Sequence, residues 1–297
     1  MNDAAAWSDF WAHNARADSG GCLPQRWAVI EEAQRAAWRN FVAQQPQGAR
    51  VLDLATGDGR VLRWMQSERA DLQLIGVDLA PKLPAPPTGT QTRGGVAMED
   101  LPFAAGEFNA VVSQVGFEYG DIPRTSAEIA RVLAPGGTVG LMVHRGDGPI
   151  LAHNLARRIA IEWVLREQKL AKTLVTALDA PNGGPSVATQ IASAIARLGA
   201  HKFGQDSPGW EIPEALHRAV IMGTRAGRDA VVATIREIEE RAANEIGRIA
   251  SLERACAAAD RREAIVAAFQ AKGLSNQSCS EVCEPSGNAL ASFLTFS

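Results

Sequence analysis

Along the first half of the chain, short apolar runs alternate with segments whose apolar residues recur every three or four positions. RVLDLA (50–55) is a run suited to a buried strand, and it ends in TGDG. Residues 60–67 predict a helix, and LQLIGVD (72–78) a second strand. QTRGGVA (91–97), FNAVVSQ (108–114) and GTVGLMV (137–143) predict a third, fourth and fifth. Between the last two, SAEIARVLA predicts a helix closed by Pro135, Gly136 and Gly137. Upstream, Trp27, Ile30, Ala37, Trp38 and Phe41 recur at helical spacing between Gln25 and Gln45. Strands alternating with helices imply right-handed crossovers and a parallel sheet. One link departs from the pattern. APKLPAPPTGTQ has prolines at 81, 84, 86 and 87, which remove amide donors and disfavour helix before them, so the helix between strands two and three is short or absent.

After Pro149 the periodicity becomes helical throughout. Residues 150–178, 186–199 and 212–222 predict helices, and apolar residues at 231, 235, 238, 242, 246, 249, 252 and 256 form one regular stripe. Asp260 with Glu263 suits a capping box that opens a helix running to about Lys272. The last residues return to strand patterns: QSCSEVCE, a turn at PSGN, then ALASFLTF. The expected organisation is a core with an N-terminal cap (1–147), a helical insertion (148–258) and a return to the core (259–297).

Composition narrows the function. The formal charge of -3 and pI near 6.0 offer no basic field for nucleic acid or an anionic membrane. MNDAAAWSDFWAHNARADSGG has no basic stretch followed by an apolar run, so no signal peptide is expected. No 18-residue uncharged stretch exists, so no spanning helix is expected either. Four cysteines do not make a disulfide scaffold. Cys279 and Cys283 on one strand would stand about 13 Å apart, too far to bridge. Reduced cysteines and a cytoplasmic location follow.

The exit of the first strand carries the chemistry. A Gly-rich turn between strand and helix lets a ligand approach the backbone where helix amides face outward. Asp78 ends the second strand 19 residues after Gly59, placed to receive ribose hydroxyls. The dinucleotide pattern G-x-G-x-x-G fails, because Leu62 stands at the third glycine. Asp53 would repel a pyrophosphate but suits an ammonium or other cation.

In these residues the chain resembles the class I S-adenosylmethionine-dependent methyltransferases. VLDLATGDG is similar to their acidic-x-G-x-G-x-G loop, with Ala55 at the first glycine, and IGVD to their ribose-binding strand end. MEDLPFAAGEFNAVVSQ resembles the adenine-pocket segment and fourth strand of the ubiquinone and menaquinone methyltransferase-like subgroup. EIARVLAPGGTVGLMV resembles the helix, turn and fifth strand that follow. The likeness covers about 48–145 and resumes at about 260–297, where AFQAKGLSNQSC looks like the final helix and sixth strand, before an antiparallel seventh. It implies an α/β, Rossmann-like fold: a seven-stranded, mostly parallel sheet with helices on both faces and a helical insertion after strand five.

The resemblance also implies S-adenosyl-L-methionine as cofactor, S-adenosyl-L-homocysteine as product, and no metal. Gly57 and Gly59, with Ala55 and Thr56 in the same loop, would admit the methionine part. Asp53 would lie near its amino group or sulfonium, Asp78 would hold the ribose, and Leu79, Met98 and Glu99 would border the adenine. The strand-end carbonyl of Gln114 would meet the amino group. Ala97 stands where related sequences often carry an adenine-bonding Asp, so that contact is lost or passes to Glu99. Asn109 replaces a frequent Asp of the fourth strand, a neutral change.

Transfer of an activated methyl group is an in-line displacement that rests on alignment and water exclusion, with a base needed only where the acceptor must lose a proton. Acceptor chemistry belongs beyond the strand ends, at Phe117, Glu118 and Tyr119 (the only tyrosine) and at His144, Arg145 and Asp147. His144 is either a general base or a partner of a loop carbonyl. Glu118 binds an amine or caps the next segment, and Arg145 and Asp147 serve the site or pair with each other. His153 falls on the first inserted helix, as a structural residue. Trp7, Phe10 and Trp11 either close over a sulfonium or staple onto the following helix. The insertion covers the acceptor or makes a homodimer. The expected acceptor is a small or medium-sized, hydrophobic molecule. The rivals are a non-catalytic scaffold that kept the fold, other chemistry on the same cofactor, and a nucleic-acid methyltransferase. The last usually carries a [D/N/S]-P-P-aromatic element where this chain has GFEY.

Overall fold

The computed structural model describes residues 28–297. Trp7, Phe10, Trp11 and Trp27 lie outside the described residues. The chain divides into two compact units, one up to Leu151 and again from Leu252 to Ser297, the other from Ala152 to Ser251.

The first unit opens with α1 (Ala28–Ala43) and β1 (Arg50–Leu54), followed by α2 (Arg60–Glu68), β2 (Gln73–Asp78), β3 (Gln91–Gly94) and β4 (Phe108–Gln114). A 3-10 turn at Phe117–Tyr119 leads to α3 (Ile122–Val132) and β5 (Leu133–Val143). After the second unit the chain returns through α9 (Arg262–Gln270), β6 (Asn276–Cys283) and β7 (Ala289–Phe296). The seven strands form one sheet in the order β3-β2-β1-β4-β5-β7-β6. β1 to β5 are parallel, and β7 runs antiparallel between β5 and β6.

Both faces of the sheet are covered, which is why its central strands read as nearly continuous apolar runs. Leu52, Leu54, Val111, Val139 and Leu141 face α3 and α9, meeting Ile129, Ile265 and Phe269. Val51, Ala110, Val112 and Met142 face α1 and α2, meeting Trp38, Phe41, Leu62 and Met65. Trp38 also stands edge-on to Phe293 of β7, 5.0 Å between ring centres.

No helix forms between β2 and β3, as the prolines require, and β3 is shorter than the 91–97 run. Two expectations are corrected. Residues 150–178 are not one helix: α4 (Pro149–Glu162) passes into a π turn at Trp163–Glu167, Lys169 takes a left-handed backbone (φ 47), and α5 (Leu170–Asp179) follows. Nor does Asp260 cap α9. Arg261 holds the cap position, with no side-chain cap bond, while Asp260 accepts the Gly146 N–H at 3.1 Å and closes the exit of β5.

The second unit holds α5, α6 (Pro185–Phe203), α7 (Pro208–Gly223) and most of the 32-residue α8 (Arg228–Ala259). Its core gathers Trp163, Leu174, Ala188, Ala192, Leu216, Val220, Val231 and Ile235. A Cβ on Gly199 would overlap the Gly209 carbonyl, so α6 and α7 approach with main chain against main chain. Among the described residues no helix is long and apolar enough to cross a membrane.

Candidate active site

The site begins where β1 stops. Ala55, Gly57 and Gly59 all adopt left-handed backbone, with φ of 55, 55 and 70. These are the three positions of the acidic-x-G-x-G-x-G spacing, so the motif records a backbone path that alternates its hand. Ala55 follows that path with a Cβ, at a cost of roughly 1–2 kcal/mol. The Thr56 N–H donates to the Val77 carbonyl at 2.9 Å, which ties the loop to β2, and Arg60 then opens α2. A Cβ on Gly59 would lie 2.7 Å from Pro87 Cδ. The proline-rich segment therefore folds back over the loop in the place of the missing helix.

Two buried carboxyls flank this loop. Asp53, 1% exposed, accepts the Thr56 hydroxyl at 2.7 Å. Burial pushes its carboxyl up to about 7 against that hydrogen bond, with Asp78 and Asp58 adding to the rise. Among the described residues it has no cationic partner in ion-pair range. Asp78 accepts the Gly57 N–H at 3.0 Å on one oxygen and the Ala80 N–H at 2.9 Å on the other. Burial nevertheless raises it. Each carboxylate oxygen has a second lone pair, so Asp78 retains two acceptor directions. Leu79 beside it stands 48% exposed. The Val96 N–H donates to the Asp78 carbonyl at 2.9 Å, bringing the 96–99 segment to the same strand end. There Glu99 accepts the Asp121 N–H at 2.8 Å, and Gly120 leaves room for Glu99 and the Met98 methyl.

The exit of β4 presses on the glycine loop. A Cβ on Gly116 would overlap that of Ala55. The Ser113 hydroxyl donates to the Leu54 carbonyl at 3.0 Å and accepts the Phe117 N–H at 3.1 Å. Val115 is left-handed (φ 48) although β-branched, a strain on the order of 1–3 kcal/mol of the kind that surrounding structure must hold in place. Its N–H donates to the Met142 carbonyl at 2.6 Å. The Gln114 side chain turns toward α1, accepting the Trp38 indole N–H at 2.6 Å and donating to Gln34 at 3.4 Å.

Beyond this strut the structure sorts the acceptor-side candidates. Phe117 is a core residue, fully buried and stacked on Phe269 at 5.7 Å, because the 3-10 turn places it in the core between the sheet and α3 and α9. Tyr119 and His144 come together, with the phenol oxygen 3.4 Å from Nε2 and the ring centres 6.0 Å apart. Burial pulls His144 down to about 4, so the imidazole is neutral at neutral pH. Glu118 is 2% exposed, accepts the His144 main-chain N–H at 2.7 Å, and is pushed by burial up to about 7. Arg145 is committed to Asp147 through two bonds of 2.8 Å and to Glu281 at 2.6 Å. His153 lies on α4 in the second unit.

Sequence reading missed the fold-back of Pro87, the Ser113 bridge, the strut from Trp38 through Gln114 to Gln34, and the left-handed Val115. The four prolines were a signal for the first. The others depend on which elements become neighbours.

Comparison with known proteins places residues 52–141 in the family model described as a methyltransferase domain. An uncharacterized protein of Mycobacterium tuberculosis is 31% identical over 109 residues, 34% of this chain and 39% of that one. A demethylmenaquinone methyltransferase of Thermus thermophilus is 31% identical over 124 residues, 39% of this chain and 56% of that one. The chain thus spans about two fifths to just over half the length of these curated relatives. A crystal structure of an S-adenosylmethionine-dependent methyltransferase from Mesorhizobium loti matches 38% of this chain and 55% of its own, with 24% identity and a TM-score of 0.34.

Proposed function

We propose that this chain, whose residues 52–141 form a methyltransferase domain of the class I, S-adenosylmethionine-dependent kind, transfers a methyl group to a small or medium-sized, hydrophobic acceptor. One observation carries the reading. A loop with left-handed residues at 55, 57 and 59 lies between two buried carboxyls, Asp53 and Asp78, and burial raises the first to about 7 with no cationic partner among the described residues.

The residues present fit the cofactor. An ammonium or sulfonium beside Asp53 supplies the charge that burial leaves uncompensated. Asp78 offers two acceptor directions to a pair of ribose hydroxyls, while Leu79 and Met98 present apolar surface for a purine. The Gly57 and Gly59 main chain would admit the methionine part, and the resemblance assigns its amino group to the Gln114 carbonyl at the end of β4. When bound, the cofactor supplies a methyl group already activated by the sulfonium.

The chain's own work is then alignment, water exclusion and proton handling. His144 stays neutral well below neutral pH, so its imidazole can accept a proton from an acceptor hydroxyl or enol. Tyr119, 3.4 Å away, orients that ring or relays the proton. The non-basic charge and the demethylmenaquinone named for the Thermus relative agree with an apolar small molecule rather than a polyanion.

Calorimetric titration with S-adenosyl-L-homocysteine tests the reading. Binding at micromolar to submillimolar ligand is expected, and Asp78→Ala should abolish it. No heat of binding at about 1 mM ligand would overturn it.

A further inference from the structure

Glu118 stands apart from the other groups of this site. It lies in the turn after β4, yet its carboxyl crosses to the end of β5. Oε1 accepts the His144 N–H at 2.7 Å, one residue past the last strand residue, Val143. Oε2 is buried with no hydrogen-bond partner among the described residues. The same two strand ends are joined a second time by the Val115 N–H and the Met142 carbonyl at 2.6 Å. Together the two bridges set Tyr119, adjacent to Glu118 in the chain, against His144.

A buried carboxyl that satisfies one amide and leaves an oxygen orphaned is a costly way to build a turn. Burial holds it near neutrality. Cys256 of α8 feels its charge and stays a neutral thiol, pushed up to about 12 chiefly by burial. An amide or a hydroxyl would cap the same N–H at less cost.

We propose that Glu118 is the positioning residue of this site: its carboxyl fixes the main chain at His144 and thereby the contact between His144 Nε2 and the Tyr119 hydroxyl, without touching the acceptor. This deepens the methyltransferase reading and rests on it for the importance of the pair, but the geometry is testable without cofactor or acceptor.

Tyr119 is the only tyrosine, so labelling tyrosine at the ring carbon that bears the hydroxyl yields one nuclear magnetic resonance signal that needs no assignment. The spectrum of the whole chain is recorded at neutral pH without ligand, for wild type, Glu118→Gln and Glu118→Asp. The Gln side chain keeps the reach of Oε1 and loses the charge, whereas Asp keeps the charge and shortens the reach by one methylene. A positioning role predicts that the Gln variant leaves the Tyr119 signal in place and the Asp variant displaces it. The reverse pattern makes the charge itself the active feature and overturns the proposal, as does a signal unmoved in both. His144→Gln should displace the signal, and failure to do so removes the contact on which the proposal stands. Homocysteine-product binding measured separately reports on the methyltransferase reading, so the two can fail independently.

Discussion

Asp53 gives the most exposed test of the cofactor site. Burial raises its carboxyl to about 7 against the hydrogen bond from Thr56, and among the described residues no cation offsets that rise. A bound ammonium beside it must draw it into the ionised form, so cofactor binding is linked to release of a proton. At pH 7 about half of the sites carry that proton, so binding releases roughly half a proton per site. As pH falls the ionised fraction drops to about 3% at pH 5.5, and the apparent affinity falls about sixteenfold, half of the roughly thirtyfold that a full tenfold per unit would give. Ligand amino groups stay protonated over this range and add no slope of their own. Calorimetry with S-adenosyl-L-homocysteine in two buffers of different ionisation enthalpy, at pH 7 and 5.5, measures both quantities. Asp53→Asn should remove the proton release, flatten the pH dependence and weaken binding at pH 7. An affinity flat between pH 5.5 and 7, with heats independent of buffer, would refute the assignment of Asp53 to the cation even if the ligand bound well.

Four further outcomes can be checked by unfolding experiments. Gly116→Ala forces a Cβ onto that of Ala55 and should cost about 1–3 kcal/mol, seen as a lowered thermal midpoint; an unchanged midpoint means the two turns do not touch. Ala55→Gly removes the left-handed penalty and, net of the freedom gained by the unfolded chain, should stabilise by about 0.5–1 kcal/mol; a lowered thermal midpoint means position 55 is not strained. Glu118 is raised from 4.5 to about 7, so its unfolded form loses a proton first and stability falls as pH rises across that window; Glu118→Gln should abolish a loss on the order of 3 kcal/mol. His144 works in the opposite sense: lowered from 6.5 to about 4, it costs stability as pH falls through that range, and His144→Gln should make the acid limb shallower in denaturant titrations.

Much of this protein is legible along the chain because its core elements rest on local rules. The apolar runs at 50–55, 72–78, 108–114 and 137–143 announced the parallel strands, since a strand covered on both faces needs little polar alternation. The four prolines announced the missing helix, and the α8 stripe from 231 to 256 announced one long helix. The alternation of Ala55, Gly57 and Gly59 is legible for the same reason, because a left-handed backbone leaves its mark in residue type. Asp53 and Asp78 are placed by strand ends that the pattern already located.

The tertiary structure decided what no local rule encodes. Phe117, Glu118 and Tyr119 are consecutive, yet one enters the core, one bridges to β5 and one meets His144, because the 3-10 turn rotates each to a different neighbour. Asp260 looked like a helix cap and instead closes the β5 exit, since Gly146 approaches it from the turn after β5, more than a hundred residues away in sequence. Gln114, placed at the strand end by pattern, spends its side chain on Trp38 of α1. The titration of Asp53, Glu118 and His144 belongs here too. Residue type sets an ordinary proton affinity, but burial and the partners available in three dimensions move it, and those exist only once the sheet has brought the strand ends together.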